Sequence, residues 1–587
     1  MATKLPAVDA VVVGVGWVGS IIAHELTKAG VQVVGLERGA YRDTDPDFQV
    51  PGMHDELKYG IQYNLMQNFA KETITFRNNA GERALPYRHM GAFLPGDGLG
   101  GAGVHWNGMT YRWLPYDFQL RSQTVARYGA SALPENSTVQ DWGVTSAEME
   151  PYYDRFERLC GVSGYAGHVG GQKRPGGNPF EGDRQRDYPL PPLKVPATSA
   201  LFQQAAEKLG YHPFIIPAAN NSEVYTNSEG ITAGACNYCG YCERFGCHMS
   251  AKGSPQTSVL PKLLPNKNFT LRTHANVTRI NLDSSKKRAV SVTYVDALGR
   301  EFEQPAELIV LSSFVFNNVR LLLNSGIGRP YDPRTGRGVV GKNYTYQSSG
   351  ASTSLVYEDR QFQRYLGAGA AGIVMDDFNG DNFDHKGLDF IHGGTIALAQ
   401  TGARPIQSHP VPPGTPAWGP EFKKAMVRYY SRILTVGMQA AVMPYRQNYL
   451  DLDPTYRDAY GQPMLRMTFD WGSNELNMAK YMAGVMDKIS REMGASRYKV
   501  NSLSGHFSVV PYQSTHNIGG AIMGKNPESS VVNTYLQSWD VPNLFVVGAS
   551  AFPHNSGYNP TGTVGAFAYR VADALRTRYL KNPGALE

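Results

Sequence analysis

Three closely spaced glycines near the N-terminus constrain the fold of this chain more than any other feature. Gly14, Gly16 and Gly19 follow an apolar run, Asp9 to Gly14, that predicts a buried strand. Residues Ser20 to Ala29 then place apolar side chains along one side of a helix, and a second apolar run follows. The order strand, helix, strand predicts a βαβ unit in a parallel, nucleotide-binding sheet.

Each part of this βαβ unit suits the binding of a dinucleotide. Gly14 allows a tight turn, Gly16 lets the backbone approach a pyrophosphate, and Gly19 lets the helix pack closely on the strand. The helix N-terminus adds free N–H groups and a partial positive charge. Glu37 ends the second strand about 20 residues further on, where a carboxylate can accept hydrogen bonds from a ribose. The unit predicts a cofactor such as FAD or NAD and does not separate the two.

Length and charge narrow the class of protein. With 587 residues the chain is too long for one hydrophobic core, so two large domains are expected. The formal net charge of +6 is spread without a basic run, which argues against nucleic-acid binding. No stretch of about 20 apolar residues predicts a membrane span. Met1 to Ala10 lack the regions of a signal peptide, so the sequence taken alone predicts a cytoplasmic protein.

Glycine-rich segments recur at two other places. Residues 96–108 read G-D-G-L-G-G-A-G-V-H-W-N-G, and so many glycines let the backbone lie against a flat or charged ligand. Residues 541–550 predict a buried strand, from which a loop leads into a helix that begins near Gly562. The N-terminus of that helix would direct positive charge at a ligand. His516 lies just upstream, in another glycine-rich loop.

Taken together, these motifs resemble the GMC (glucose–methanol–choline) oxidoreductase family. The shared motifs are the N-terminal fingerprint, residues 98–103 and 340–343, H-x-x-G-x-x-x-M-G from His516 to Gly524, and N-P-T-G-T near the C-terminus. The resemblance implies FAD as the cofactor and an enzyme that oxidises an alcohol group. It also implies a mixed α/β fold, with a Rossmann-like FAD-binding domain and a discontinuous substrate-binding domain that contains an antiparallel sheet.

The resemblance further implies which residues contact substrate and cofactor. His516 is the expected base, which takes the hydroxyl proton while hydride leaves the same carbon for flavin N5. Asn559 is expected to hold the substrate oxygen, and His105 and His554 are alternatives to His516. The expected cofactor contacts are Gly14, Gly16, Gly19, Glu37, Gly98, Gly100, Gly101, Gly103, Asn107, Val277, Ser550, Thr561, Gly562 and Thr563.

Four of the five cysteines, Cys236, Cys239, Cys242 and Cys247, lie close together at spacings of two, two and four intervening residues. A loop this short cannot pair them all in strain-free disulfides, so a metal site is the main interpretation. The spacing resembles a ferredoxin-type iron–sulfur run more than two separated zinc knuckles. It predicts a [3Fe–4S] or [4Fe–4S] cluster, with zinc or a thiol redox role as alternatives. Cys160, in a helical stretch, is predicted to be a core residue.

An iron–sulfur centre implies a partner that accepts single electrons, such as a cytochrome. The run from Cys236 to Lys252 therefore narrows the resemblance to the bacterial membrane-bound sugar and sugar-acid dehydrogenases of the gluconate type. This implies oxidation of gluconate to 2-ketogluconate, with a multihaem cytochrome c subunit as electron acceptor. A small subunit that carries the export signal would place the chain on the periplasmic side of the inner membrane, in contact with the membrane only through its partners. A cytoplasmic location is the alternative.

Other functions remain open at this point. A 2-ketogluconate, fructose or sorbitol dehydrogenase would have the same design, and an electron carrier would bind FAD and a cluster without a substrate of its own. The FAD-binding domain is predicted to comprise 1–45, 90–115, 255–345 and 503–587. The substrate-binding domain and insertions are predicted to comprise 46–89, 116–254 and 346–502, with an iron–sulfur loop at 236–252.

Overall fold

The fold was analysed in a computed structural model that describes residues 2–48, 56–60, 62–70, 72–89, 91–402 and 408–586. Parts of the predicted segments 46–89 and 346–502 thus lie outside the described residues. Two large sheets organise the described chain, and a smaller four-stranded sheet lies beside them.

The larger sheet has eight strands and forms the nucleotide-binding half. Its parallel part brings Val13, Leu36 and Leu311 into register, so the carboxyl ends of neighbouring strands meet at one edge. Ligands of open α/β sheets bind at such an edge. In spatial order the strands are Phe269–Arg272, Val33–Leu36, Val8–Val13, Glu301–Leu311, Ala289–Val295 and Asn276–Leu282, with Thr3–Lys4 and Leu544–Val546 also paired to Glu301–Leu311.

The second large sheet has six strands, and every neighbouring pair is antiparallel. Helices Ser473–Glu492 and Ala197–Lys208 cover it, and Met478, Met482 and Phe202 are fully buried in the core between them. In spatial order its strands are Arg497–Ser502, Ala351–Val356, Ile433–Ala440, Gly394–Ala399, Gly372–Met375 and Pro213–Ile215.

The remaining strands form short sheets. The four-stranded sheet comprises Tyr449–Arg457, Pro463–Thr468, Thr75–Arg77 and Leu85–Pro86. Three two-stranded pairs are Tyr225–Thr226 with Thr232–Ala233, His168–Val169 with Gln172–Lys173, and Thr345–Tyr346 with Asn517–Ile518. The last pair joins two segments distant in the chain and positions His516, the next residue before it.

Three of the longer helices pack against one another. Helix Thr561–Ala574 packs against Trp17–Lys28 and Ser146–Cys160. The latter begins with a capping box, since Thr145 Oγ1 accepts from the Glu148 N–H and the Glu148 carboxylate accepts from the Thr145 N–H. The other α-helices are Pro115–Phe118, Leu120–Tyr128, Ala197–Lys208, Pro255–Ser258, Leu260–Leu263, Val315–Ser325, Pro420–Tyr429 and Ser473–Glu492.

The predicted fold class is confirmed by the mixed α/β architecture with its antiparallel second sheet. The first helix begins at Trp17 and not at Ser20, and the strand expected within 541–550 covers only Leu544–Val546. Cys160 ends a helix and is buried, as predicted. The domain boundaries stay predictions. Within the described residues, no helix has the length and apolar character needed to cross a membrane.

Candidate active site

A cavity of about 540 Å³ lies at the carboxyl edge of the larger sheet. Residues Val13, Gly14 and Glu37 line it where their strands end, and Gln439 lines it from the second sheet. The cavity therefore lies between the two large sheets, at the place where an α/β fold binds its ligand.

The first βαβ unit forms one end of this cavity and accommodates only glycine at two positions. Gly14 has φ +87°, and a Cβ atom on Gly19 would lie 2.0 Å from the Gly14 carbonyl oxygen. Gly16 is different, since a Cβ there would meet nothing nearer than Gly100 O at 3.7 Å. Its backbone is open to the cavity beside the N-terminus of helix Trp17–Lys28. A glycine backbone exposed beside a helix N-terminus is the arrangement that lets the main chain approach a pyrophosphate.

Glu37 lines the cavity beyond the glycine turn. Its Oε2 accepts from the Val15 N–H at 3.0 Å, and its Oε1 accepts from the Gly39 N–H at 2.9 Å. Burial raises the pKa of the Glu37 carboxyl, and these two N–H donors oppose that rise. The backbone thus fixes the carboxylate in one orientation at the cavity wall, with further lone pairs able to accept from a ribose.

The second glycine-rich segment divides into residues that line the cavity and residues behind them. Gly101, Gly103 and Asn107 line it. Gly98 and Gly100 have φ +114° and +91° and turn the chain behind the wall.

The C-terminal segment divides in the same way, with Thr561 in the lining. Val277, in strand Asn276–Leu282, also lines the cavity. Ser550 Oγ instead accepts from Asn318 at 3.0 Å, and Thr563 Oγ1 lies 2.7 Å from the Tyr153 hydroxyl. A Cβ on Gly562 would lie 2.6 Å from Tyr111 O, so this glycine serves close packing. Contact between these residues and a bound cofactor stays a prediction.

His516 and Asn559, the predicted catalytic pair, meet in the cavity wall. His516 Nε2 lies 3.3 Å from Asn559 Nδ2, and His516 Nδ1 lies 2.5 Å from Gln347 Oε1. Burial lowers the pKa of His516 to about 3, so the imidazole is neutral near pH 7. The Oδ1 of Asn559 is buried without a hydrogen bond to any described residue. The pair therefore presents an imidazole and an amide to whatever enters the cavity.

The two alternative histidines have different surroundings. His105 lines the cavity, and burial lowers its pKa to about 3. His554 is fully buried, where its Nε2 accepts from Trp142 Nε1 at 2.9 Å and its Nδ1 lies 3.0 Å from Asn555 O. Both nitrogens of His554 are used by the protein, which fits a structural role.

The four clustered cysteines lie in one loop as free thiols. Burial raises the pKa of Cys236 to about 11 and also raises those of Cys239 and Cys242, with smaller contributions from the neighbouring thiolates. Sulfur atoms that receive N–H donors are typical of metal-thiolate sites. The donors are Tyr238 N at 3.4 Å to Cys236, Ala251 N at 3.4 Å to Cys247, Asn220 Nδ2 at 3.5 Å to Cys242, and Tyr241 N to Cys239.

Thiols are the donors that an iron–sulfur cluster requires. Among the described residues, however, no group of three or more His, Cys, Asp or Glu side chains is arranged to hold a metal ion. The cluster therefore stays a prediction.

A buried lysine ties the cysteine loop to the cavity. Lys252 is fully buried, and its Nζ donates to the carbonyl oxygens of Trp106, Cys242 and Phe245 at 2.6, 2.9 and 2.7 Å. Trp106 lines the cavity, and so does Arg244, which lies between two of the cysteines. The cysteine loop thus forms part of the cavity wall and is hydrogen-bonded to the segment that carries His105.

Arg244 brings a positive charge to the cavity. Its main-chain N–H donates to His105 O at 2.7 Å, and its guanidinium carbon lies 4.4 Å from the centroid of the Tyr512 ring. Arg244 Nε makes no hydrogen bond within the described residues and lies 3.8 Å from Glu243 Oε1. The guanidinium keeps donors available for an anionic group of a ligand.

The residues of the cavity fit FAD. Gly16 leaves room for a pyrophosphate, and Glu37 is positioned for a ribose. Four buried polar atoms of lining residues make no hydrogen bond to any described residue, as expected where a polar ligand supplies the partners. They are Trp17 Nε1, His105 Nε2, Arg244 Nε and Asn559 Oδ1.

Comparison with known proteins finds relatives that match nearly the whole chain. A gluconate 2-dehydrogenase flavoprotein of Pantoea cypripedii is 49% identical over 100% of this chain and 96% of its own length. A fructose dehydrogenase large subunit of Gluconobacter japonicus is 24% identical over 98% of this chain and 99% of its own length. The solved structure of pyridoxine 4-oxidase from Mesorbium loti has a TM-score of 0.58 at 17% identity and covers 96% of this chain and 98% of its own.

The fold and the cavity define an α/β oxidoreductase with a dinucleotide cofactor. Two family models described as GMC oxidoreductase match residues 137–348 and 444–568, and the chain belongs to this family. It is an FAD-dependent oxidoreductase that acts on the CH–OH group of a small-molecule substrate. The predictions of family, fold class, FAD and enzyme class are thereby confirmed.

The sequence motifs missed three residues of this site: Gln347, Arg244 and Lys252. Arg244 and Lys252 lie inside the run from Cys236 to Lys252, whose spacing indicates the sulfur ligands and gives no signal for either residue. Gln347 follows the motif at 340–343 by only four residues, yet nothing in its local pattern indicates that it faces His516. All three are recognisable only by what they contact.

Proposed function

We propose that this chain is the flavoprotein of a gluconate 2-dehydrogenase-type enzyme, which oxidises the secondary alcohol at C2 of a sugar acid to a ketone. The observation that carries the proposal is a neutral His516, paired with Asn559, in the same cavity as the Arg244 guanidinium. The identity to the Pantoea cypripedii gluconate 2-dehydrogenase flavoprotein supports it.

The chemistry follows from the protonation of the imidazole. A neutral His516 can accept the hydroxyl proton of the substrate, and Asn559 holds the substrate oxygen beside it. FAD, when bound, supplies the acceptor for the hydride that leaves the same carbon. The substrate loses one proton to His516 and one hydride, and a C=O bond replaces the C–OH group.

Arg244 favours an acid over a neutral sugar. A guanidinium binds a carboxylate through two parallel N–H donors, which fixes the orientation of the substrate as well as holding it. Fructose or sorbitol offers no such group. In this proposal Arg244 binds the carboxylate of gluconate while the adjacent C2 hydroxyl reaches His516.

The cysteine loop supports a one-electron route away from the cavity. Cys236, Cys239, Cys242 and Cys247 would hold an iron–sulfur cluster, [3Fe–4S] or [4Fe–4S], which supplies one-electron transfer to a cytochrome c subunit. Lys252 and Arg244 connect this loop to the cavity wall without an intervening element. The proposed partners are a small subunit with an export signal and a multihaem cytochrome c, which would hold the chain on the periplasmic side of the inner membrane.

A dye-linked assay with gluconate, 2-ketogluconate, fructose and sorbitol tests the substrate. We expect turnover of gluconate, with 2-ketogluconate as the product. If the protein instead prefers 2-ketogluconate, fructose or sorbitol, it is the dehydrogenase of that substrate. A protein that contains FAD yet reduces no dye with any of the four would instead be an electron carrier.

A metal analysis of the same preparation tests the route for electrons. We expect iron and acid-labile sulfide in the purified protein, both lost when Cys239 and Cys242 are replaced by serine. Zinc without sulfide would overturn the cluster and leave the dehydrogenase assignment standing. Cys160→Ser is the control, since this buried thiol lies outside the loop.

A further inference from the structure

Gln347 lies directly opposite His516 across a short pair of strands. Tyr346 pairs with Asn517, and the next residue along, Gln347, donates its main-chain N–H to His516 O at 3.4 Å. The side chain is fully buried, and the main-chain oxygen accepts from Ser514 Oγ at 2.9 Å. Backbone contacts on both sides therefore hold Gln347 beside the catalytic imidazole.

The orientation of the Gln347 amide follows from its neighbours. One terminal atom lies 2.7 Å from Ser556 O and 3.0 Å from Tyr558 O. A carbonyl oxygen only accepts hydrogen bonds, so this atom must be the NH₂ group, Nε2. The other terminal atom, which lies 2.5 Å from His516 Nδ1, is therefore the amide oxygen.

This orientation determines the tautomer of His516. An amide oxygen only accepts, so Nδ1 must carry the hydrogen. Burial keeps the ring neutral, so Nε2 has no hydrogen and carries the lone pair. The contact on the other side agrees, since the group facing Nε2 at 3.3 Å is the Nδ2 donor of Asn559.

We propose that Gln347 is a positioning residue that fixes His516 as its Nδ1–H tautomer and so directs the basic Nε2 to the substrate hydroxyl. Gln347 does not touch the substrate in this account; it acts through His516. The inference rests on the proposed role of His516 as base. It does not depend on which sugar acid is oxidised or on the presence of a cluster.

The test uses anaerobic stopped-flow measurement of flavin reduction in the FAD-loaded full chain, across a pH series. Gln347→Leu removes the acceptor, and Gln347→Glu keeps an acceptor while it adds a negative charge beside Nδ1. Thr345→Val is the matched control in the same strand pair, since Thr345 is fully buried and its Oγ1 makes no hydrogen bond within the described residues. His516→Gln is measured alongside.

We expect Gln347→Leu to retain FAD and to reduce it about 10²-fold more slowly, because a general base contributes about 10²–10⁴-fold. Gln347→Glu should recover most of the rate at its plateau. The acidic limb of the pH–rate profile of Gln347→Glu should move to higher pH, since a carboxylate at Nδ1 stabilises the imidazolium.

Two results would overturn the proposal. One is a Gln347→Leu rate that matches the Thr345→Val rate; the other is an equal loss in both Gln347 variants with the wild-type pH profile. If Gln347→Leu does not fold, the acidic limb of Gln347→Glu decides alone. A wild-type rate in His516→Gln would instead refute the proposed base itself.

Discussion

Nε2 of His516 lies 3.3 Å from Nδ2 of Asn559, and the two residues are 43 positions apart in the chain. The amide donates to the ring nitrogen that carries the lone pair. A substrate hydroxyl that donates to Nε2 would replace this contact, and its oxygen could then accept from Nδ2. This relationship makes the protonation of His516 the first property to test.

Replacement of His516 by glutamine should stop substrate oxidation and leave FAD bound. The substitution removes the base, and a general base contributes about 10²–10⁴-fold to such a step. Stopped-flow flavin reduction at saturating gluconate measures the loss, and the absorption of the flavin reports occupancy. His409→Gln, at an exposed histidine, is the control. A rate within tenfold of wild type would reject His516 as the base.

The rate of flavin reduction should persist in acid. Burial lowers the pKa of His516 to about 3, whereas an ordinary histidine has a pKa of 6.5. Because only the neutral ring accepts a proton, activity limited by an ordinary histidine would fall below about pH 6.5. Here we expect kcat/KM for flavin reduction to hold to about pH 5. An acidic limb centred near the ordinary histidine value would contradict the burial of this ring.

Arg244→Gln should raise the KM for gluconate about 10-fold or more, because a hydrogen bond to a charged group contributes about 1.5–3 kcal/mol. If Arg244 binds the carboxylate equally in ground and transition states, kcat should change little. Steady-state kinetics with gluconate and with a neutral polyol in the same variant provides the comparison. Equal effects on both substrates would mean that Arg244 shapes the cavity and does not recognise the acid.

Gly16→Ala should weaken FAD binding without unfolding the protein. A Cβ at Gly16 meets no protein atom nearer than 3.7 Å, so the fold accepts it, but the methyl group enters the space expected for the pyrophosphate. Overpacking costs about 1–3 kcal/mol, which corresponds to about 5- to 150-fold in affinity. Fluorescence titration of the apoprotein with FAD measures this. Gly484→Ala, a helix position with nothing within 4 Å, should bind FAD as the wild type does.

Asp376→Asn should raise stability in alkali. The buried carboxyl accepts from the Asn178 amide at 2.6 Å and from the Tyr558 hydroxyl. Burial raises its pKa to about 7, above the unfolded value of 3.8. A raised carboxyl pKa stabilises the fold below about pH 4, and this contribution is lost as pH rises through 7, by on the order of 4 kcal/mol at most.

The asparagine variant has no carboxyl to ionise, and its amide oxygen can accept from the same two donors. Thermal unfolding of wild type and variant should therefore give similar Tm values near pH 4 and a higher Tm for the variant near pH 9. The mirror substitution Asn178→Asp places a second carboxyl beside Asp376 and should lower the Tm at both pH values. A variant Tm that falls below wild type in alkali would show that Asp376 is not buried as a neutral acid.

The sequence by itself determined the nucleotide-binding unit and the family. Gly14 has φ +87°, and the helix packs directly on its strand at Gly19, so both positions require glycine. The spacing of the glycines therefore predicts this structure from the sequence alone. The cysteine spacing likewise predicted one loop of neighbouring thiols, although the metal itself stays a prediction. His516 and Asn559 were predicted from short, continuous motifs, and both line the cavity, although their catalytic roles stay predictions.

Only the tertiary structure decided how these pieces act together. The tautomer of His516 depends on an amide 169 residues away. The cavity lining includes the Arg244 guanidinium, which belongs to a segment whose sequence pattern indicates only cysteine ligands. The direction of a hydrogen bond and the burial that lowers a pKa are properties of packed neighbours. No short stretch of sequence determines these two properties, because strands and loops distant in the chain meet only after the two large sheets have packed.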